Sequence, residues 1–253
     1  MELTDLAWPA VAALPKTTPI IFPIAALEQH GMHMPVFTDS LLLGEVIRRV
    51  KLAPVAEKCL FAPLQWLGNS HHHLDFPGTL SASPRVYLDL LKDLATCFML
   101  HGFTRIVFVN GHGGNITPYQ QALFELKQEH RHWHELLLLA LTYWDAVGNP
   151  AEKIPGLVQK RMGHACEWET SMVLRLNPKL VVGEVAKVPE VLHGREFTPG
   201  YRAWVMPDRS EPGHVGTPSA ATPEKGEALF THFAAGVAAY LERVVAWNGT
   251  WDS

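Results

Sequence analysis

The sequence predicts an α/β protein with a mostly parallel central sheet and helices on both faces. Two observations carry this. Short apolar runs alternate with longer amphipathic ones along the chain, the order in which strands and crossover helices follow one another in parallel sheets. The 253 residues are 47% hydrophobic and 18% charged, a composition that builds a core rather than staying disordered. One large α/β domain accounts for that length, and residues 1–253 are read as a single domain.

The apolar runs are PIIFPIAAL at 19–27, LFAPLQWL at 60–67, RIVFVNG at 105–111 and ELLLLALTYW at 135–144. Each is short enough for a buried strand, although pattern alone also allows the fourth to be part of a helix. Helices are expected at 40–51, at 84–101 with proline in the first position, at 117–130 and at 223–247. From 189 to 223 the chain is rich in Pro, Gly, Ser and Thr, with Arg195, Tyr201, Arg202 and Trp204 among them. So long a connector is expected to cover a site.

The formal net charge of −4 comes without a basic stripe, which argues against nucleic acid as a partner. No apolar run approaches the roughly 20 residues of a membrane span, and Glu2 and Asp5 stand where a signal peptide would be basic. Cys59, Cys97 and Cys166 are odd in number and irregularly spaced. They make neither a disulfide framework nor a zinc finger, and they fit a reducing compartment. A soluble, cytoplasmic protein is the expectation.

Three clusters carry chemistry. Residues 25–40, AALEQHGMHMPVFTDS, place Glu28, His30, His33 and Asp39 between an apolar run and a helix start. Glu28 and His30 are two apart, so strand alternation aims both the same way if the strand runs that far. Asp39 is equally suited to capping the helix that follows, and His33 to packing. The second cluster, NGHGGN at 110–115, directly follows RIVFV. Its glycines permit a tight turn and leave His112 at the carboxyl edge of the sheet, where open α/β folds bind ligands. Neither the spaced G-x-G-x-x-G pattern nor a following Lys-Ser/Thr is present, which argues against a phosphate cradle.

The third cluster, GHACEWETS at 163–171, opens a helical segment continuing MVLRL. Glu167 and Glu169 point about 200° apart on a helix, so one is expected in the site or core and the other in solvent. His164 precedes that helix within reach of the same site. Taken alone, the segment is also explained by a capping histidine and by glutamates favouring the helix dipole. Together, Glu28, His30, Asp39, His112 and Glu169 suffice for two divalent ions sharing a carboxylate, with a bridging water as nucleophile; zinc, manganese and iron all accept such ligands. His71, His72 and His73 in GNSHHHLDFPGT cannot all face one ion, and only His73 is taken as a substrate contact. Trp144, Trp168 and Trp204 are candidates for pocket walls, with core packing as the alternative.

These motifs, with FPGTLS at 76–81 and GHVGTPSAATPEKG at 213–226 in this order and spacing, resemble the creatininase, or creatinine amidohydrolase, family over nearly the whole chain. The resemblance implies a three-layer α/β/α sandwich, a di-metal centre and hydrolysis of a non-peptide C–N bond in a small-molecule amide, whether cyclic amide, lactam or formamide. It also implies a homohexamer built as a trimer of dimers. Carried over by position, Glu28, Asp39 and His112 would hold one ion, and His30, Asp39 and a further carboxylate the other, with Asp39 as the bridge. The name-giving enzymes have an aromatic residue and a metal-binding glutamate where this chain has Gly113 and Gly114, so Glu169 becomes the expected last ligand. His164 matches the family's proton-transfer histidine, with Glu167 a candidate partner, and His73 matches a histidine carried before FPGT. Gly113, Gly114 and Trp168 complete the expected substrate surface. Relatives with the Gly-Gly turn include formamide deformylases and a peptide-trimming enzyme of redox-cofactor maturation. A peptide-trimming metallohydrolase and a non-catalytic metal- or ligand-binding descendant are therefore the alternatives.

Overall fold

In the computed structural model four parallel strands form the sheet: β1 (Ile20–Ile24), β2 (Leu60–Phe61), β3 (Arg105–Asn110) and β4 (Leu137–Thr142), in the order β2-β1-β3-β4. The structure describes residues 1–192, 197 and 199–250, so Arg195 lies outside the described residues. The helices are α1 (Trp8–Ala12), α2 (Thr38–Val50), α3 (Pro84–Met99), α4 (Ile116–Glu129), α5 (Glu167–Leu176) and α6 (Pro223–Ala246).

Strand alternation makes three layers of this. Ile21, Val107 and Val109 pack with the apolar faces of α2, α5 and α6. Their neighbours Ile20, Phe22, Ile24, Ile106 and Phe108 point the other way, onto α3 and α4. Strands buried on both faces must be apolar at every position, which is why these runs read as continuous and not alternating. Each buried Ile or Phe contributes about 1.5–3 kcal/mol. The result is the expected α/β/α sandwich around a parallel sheet.

The strands are shorter than the apolar runs. The first leaves the sheet after Ile24, and the second pairs only over Leu60–Phe61, with a single further bridge from Gln65 to Ile24. Pro23 of β1 has no N–H to give to this edge strand, and the ladder resumes only where Gln65 N–H donates to the Pro23 carbonyl. The ambiguous fourth run is a strand because β3 pairs with it from Arg105↔Leu137 to Asn110↔Thr142. From β1 the chain reaches β2 on one side and β3 on the other, so connections diverge between the carboxyl ends of β1 and β3. A crevice opens at such a point, and ligands enter there.

Helix α5 is locked onto α6 at one close approach. A side chain at Gly226 would run into the Ser171 backbone, while the Ser171 hydroxyl donates to the Glu167 carbonyl and accepts from the Thr222 N–H. Glu227 in α6 takes the guanidinium of Arg49 from α2 and of Arg175 from α5, both at 2.7 Å. Gly226→Ala is therefore expected to push α6 off α5 and cost about 1–3 kcal/mol. A fall in the urea midpoint, followed by circular dichroism, checks this; an unchanged midpoint would refute the close-packing argument.

Candidate metal centre

The crevice is lined by buried acid and base. After β1 the chain turns back on itself: the Glu28 N–H donates to the Val36 carbonyl at 2.8 Å, and Gly31 makes the tip with φ +64°. Glu28 and His30 do face the same place, but not through strand alternation, because the strand has ended four residues earlier. The loop aims them instead. His30 Nδ1 donates to the Glu28 carbonyl at 3.0 Å, which directs Nε2 to Asp39 Oδ1 at 3.2 Å and Glu169 Oε1 at 3.9 Å.

Asp39 lies in the first turn of α2 and caps nothing; Phe37 holds the N-cap position without a side-chain bond. Its second oxygen, Oδ2, faces His112 Nδ1 at 2.9 Å, and Glu28 Oε1 stands 3.4 Å from the same nitrogen. His112 is oriented from behind, its Nε2 donating to the Asn69 carbonyl at 2.9 Å. The two asparagines of NGHGGN build that support. Asn110 holds the His112 backbone on both its N–H and C=O sides, and Asn115 ties Asn69 N to the Ala25 carbonyl. Gly114 is required for space, since a Cβ there would collide with the Asn69 carbonyl, His112 Nε2 and His72, whereas Gly113 faces open volume.

With each imidazole's outer nitrogen spent on a carbonyl, its inner nitrogen presents a lone pair to carboxylate oxygens. Acceptors then face acceptors, and Glu28 Oε2, Asp39 Oδ2 and Glu169 Oε2 are buried without a hydrogen-bond partner. Only a cation satisfies such an arrangement, and in metal-free protein that cation is a proton. Burial works against the charged form of His30, yet Asp39, Glu169 and Glu28 raise its pKa to about 9. His112 is likewise raised well above the usual imidazole value against its burial, by Glu28 and Asp39. Burial lifts Glu169 to about 7, and Asp39 stays low despite burial because both imidazoles face it. Two imidazoles and three carboxylates are the donor set of zinc, manganese or iron(II).

His73 and His164 lean over the centre. Gln29 organises both: its amide oxygen accepts from Gly31 N, and its amide nitrogen donates to the Gly213 carbonyl and to His73 Nδ1 at 2.7 Å. His73 therefore carries its proton on Nε2, 3.4 Å from Glu28 Oε1. His164 Nε2 donates to the Gln29 carbonyl at 2.8 Å, leaving Nδ1 free and 3.6 Å from Glu28 Oε1. Burial, together with His30 and His73 beside it, holds the His164 pKa well below the usual value.

Other expectations are corrected. Glu167 and Glu169 are both buried, and neither is in solvent. Glu167 is turned away from the centre; its carboxylate accepts from Val158 N, Gln159 N and the Lys225 ammonium, so it holds a loop to α6 and has no catalytic contact. Trp168 is core, packed near Phe233 with its indole N–H on the Gln159 carbonyl. Trp144 and Trp204 do line the cavity, which measures about 980 Å³ and also draws Tyr201, Met206 and Arg209 from the 189–223 segment. His33 is buried and donates to Thr170. His72 was not anticipated: it lies within ligand distance of Glu28 and His112, because a tight helical turn at His71–His73 separates the three side chains. Gln29 and Asn69 carried no sequence signal either, since each acts through backbone geometry formed only on folding. Among the described residues no helix is long and apolar enough to cross a membrane.

A carboxylate–imidazole cluster at the switch point of a doubly wound sheet defines an α/β protein with a candidate metal centre. The family model for Creatininase, described as creatinine amidohydrolase, matches residues 4–241, and the chain belongs to that family. It is 32% identical to the mycofactocin precursor peptide peptidase of Mycobacterium tuberculosis (strain H37Rv) over 92% of this chain and 88% of the relative. It is 30% identical to the creatinine amidohydrolase of Pseudomonas putida over 87% and 86%. A mutant creatininase complexed with creatine superposes with a TM-score of 0.78 at 27% identity, covering 97% of this chain and 99% of that one. Solved creatininases of similar likeness include a Zn-Zn form and a Mn form.

The pKa directions set a pH dependence. His30 sits above its ordinary 6.5, so its proton stabilises the metal-free fold fully below pH 6.5, and this is lost as pH rises through about 9. Glu169, lifted from 4.5, loses its contribution as pH rises through about 7. Asp39 has the opposite sign: its contribution is fully present above pH 3.8 and is lost only as pH falls below that value, outside this range. Ions that replace these protons therefore stabilise most at alkaline pH. The rise in Tm on adding zinc to chelator-treated protein is expected to grow between pH 6.5 and about 9; a constant increment would show that these groups do not exchange protons for metal.

Proposed function

We propose that this chain is a metal-dependent amidohydrolase that cleaves a non-peptide C–N bond in a cyclic amide, lactam or formamide. Two divalent ions per chain, zinc, manganese or iron, would serve it. The observation that carries the reading is Asp39, whose two oxygens face two different imidazoles, each already fixed from behind. Glu28, Asp39 and His112 would hold one ion, and His30, Asp39 and Glu169 the other. No carboxylate fits at Gly114, which supports Glu169 as the last ligand and a substrate other than creatinine. The full set of buried donors favours an enzyme over a non-catalytic binding protein, and the shared sheet under both cores supports one domain over residues 1–253.

Bound divalent ions supply a water nucleophile at neutral pH and polarise a carbonyl oxygen. The protein's own groups do the rest. His164, neutral and held through Nε2, offers Nδ1 to take a proton and return it to the leaving nitrogen. His73 Nε2–H is placed to donate to a substrate oxygen. Gly113 keeps the turn open, and Trp144 and Trp204 shape the wall. A second reading, trimming of a peptide, is favoured by the cavity volume of about 980 Å³, near the upper end of small-ligand sites.

Elemental analysis of protein purified without chelator tests the centre. About two ions per chain are expected, with Asp39→Ala losing both and Glu169→Ala losing one; wild type that takes up no zinc or manganese would sink the reading. His164→Gln is expected to keep its metal and lose roughly 10²–10⁴ in kcat/KM. Full activity in that variant would remove His164 from the mechanism.

A further inference from the structure

We propose that Arg209 is the specificity residue of this site, and that the substrate carries a carboxylate, remote from the scissile C–N bond, which Arg209 binds. The proposal rests on the amidohydrolase reading for the reaction and on separate geometry for the ligand.

Arg209 follows a short turn, Met206–Asp208, and its guanidinium lies over Trp204 at 3.4 Å from the ring centre. Trp204 meets His72 edge-on at 4.8 Å, and His72 is nearly parallel to His112 with ring centres 5.8 Å apart. One wall of the cavity thus runs from the candidate metal centre to a guanidinium. That guanidinium is half-buried, and among the described residues it has no carboxylate partner. Its neighbour Asp208 is spent on the Val205 N–H at 2.9 Å. The other arginine on the cavity wall, Arg85, is already paired with Asp89 and Glu125. The remaining acids of the cavity, Glu28, Asp39 and Glu169, are the proposed metal ligands.

Burial, and to a smaller degree the like charge of Arg202, lower the Arg209 pKa; burial of a charge with no anionic partner among the described residues is costly. A ligand anion would offset that cost. Stacking on an indole fixes the plane of the guanidinium and leaves its edge of N–H donors free, the fork that pairs bidentately with a carboxylate. Arg85 is engaged, and Arg202, whose charge is felt by Arg209, is exposed and stands outside the cavity lining; among the described residues no second free cation therefore lines the cavity beside Arg209 to favour a phosphate dianion. The cavity therefore has two ends of different chemistry: a hydrolytic end at Asp39 and an anion-recognising end at Arg209.

N-formylglycylglycine and its C-terminal amide differ only in that charge. Their binding to the zinc-loaded protein is measured by calorimetry in a His164→Gln background, which slows turnover, with and without Arg209→Gln or Arg209→Lys. The acid is expected to bind at least about tenfold tighter than the amide. Arg209→Gln should abolish this preference and Arg209→Lys retain part of it. Equal affinity, no detectable binding of the acid, or a preference that survives Arg209→Gln would each overturn the proposal; the last outcome would put the carboxylate on the zinc ions. Hydrolysis is followed separately with His164 intact. If the Arg209-dependent preference is present but neither compound is cleaved, the amidohydrolase reading fails and the anion site stands.

Discussion

Three carboxylates are buried together at one end of a parallel sheet, and the structure around them is arranged to make that tolerable. Glu28, Asp39 and Glu169 have almost no access to water, and like charges at such spacing repel strongly in a medium of low dielectric. Their compensation is the pair His30 and His112, each directed inward because a backbone carbonyl takes its outer N–H. In metal-free protein the imidazoles supply the positive charge by holding protons. With ions bound the same inward nitrogens would offer lone pairs instead.

That arrangement depends on the layers beneath. The loop after β1 delivers Glu28 and His30, α2 delivers Asp39, the turn after β3 delivers His112, and α5 delivers Glu169. These elements meet because the order β2-β1-β3-β4 opens a crevice between the carboxyl ends of β1 and β3. The contact of α5 with α6 through Gly226, and the Glu227 link to Arg49 and Arg175, fix the helix that brings the third carboxylate in. Gln29 adds a level above the ligands, since one amide group selects the tautomer of His73 while its backbone carbonyl orients His164. The two rings pack against each other with centres 4.5 Å apart, and the Gln29 amide nitrogen stands within 3.1 Å of a nitrogen of each.

The division of the cavity into a metal end and an arginine end gives its breadth a purpose. Gly113 and Gly114 keep the turn beneath His112 free of side chains, for different reasons: one opens space, while the other avoids a collision with Asn69 and His72. The 189–223 segment contributes Tyr201, Trp204 and Arg209 to the wall and is pinned by Gly213 to Gln29 and by Val215 to the His164 backbone. One stretch of chain thus touches both the Arg209 end of the cavity and the backbone of His164.

Much of this was legible in the residues alone. Apolar runs long enough for a strand and no longer, separated by amphipathic stretches, specify a parallel sheet because both faces of each strand must be covered. Clustered acids and histidines after those runs mark the sheet's carboxyl edge, since that is where an α/β fold leaves side chains uncovered. What pattern could not decide was direction. Glu28 and His30 share a target through a loop bonded to Val36 and not through strand period, and only folding shows that Glu167 turns to Lys225 while Glu169 turns to His30. Trp168 and Trp204 are equal in the sequence, yet one is core and the other stacks under Arg209. Local sequence determines which groups are present and which element carries them; contacts between residues distant in the chain determine where each polar atom finds its partner, and that choice exists only once the layers have packed.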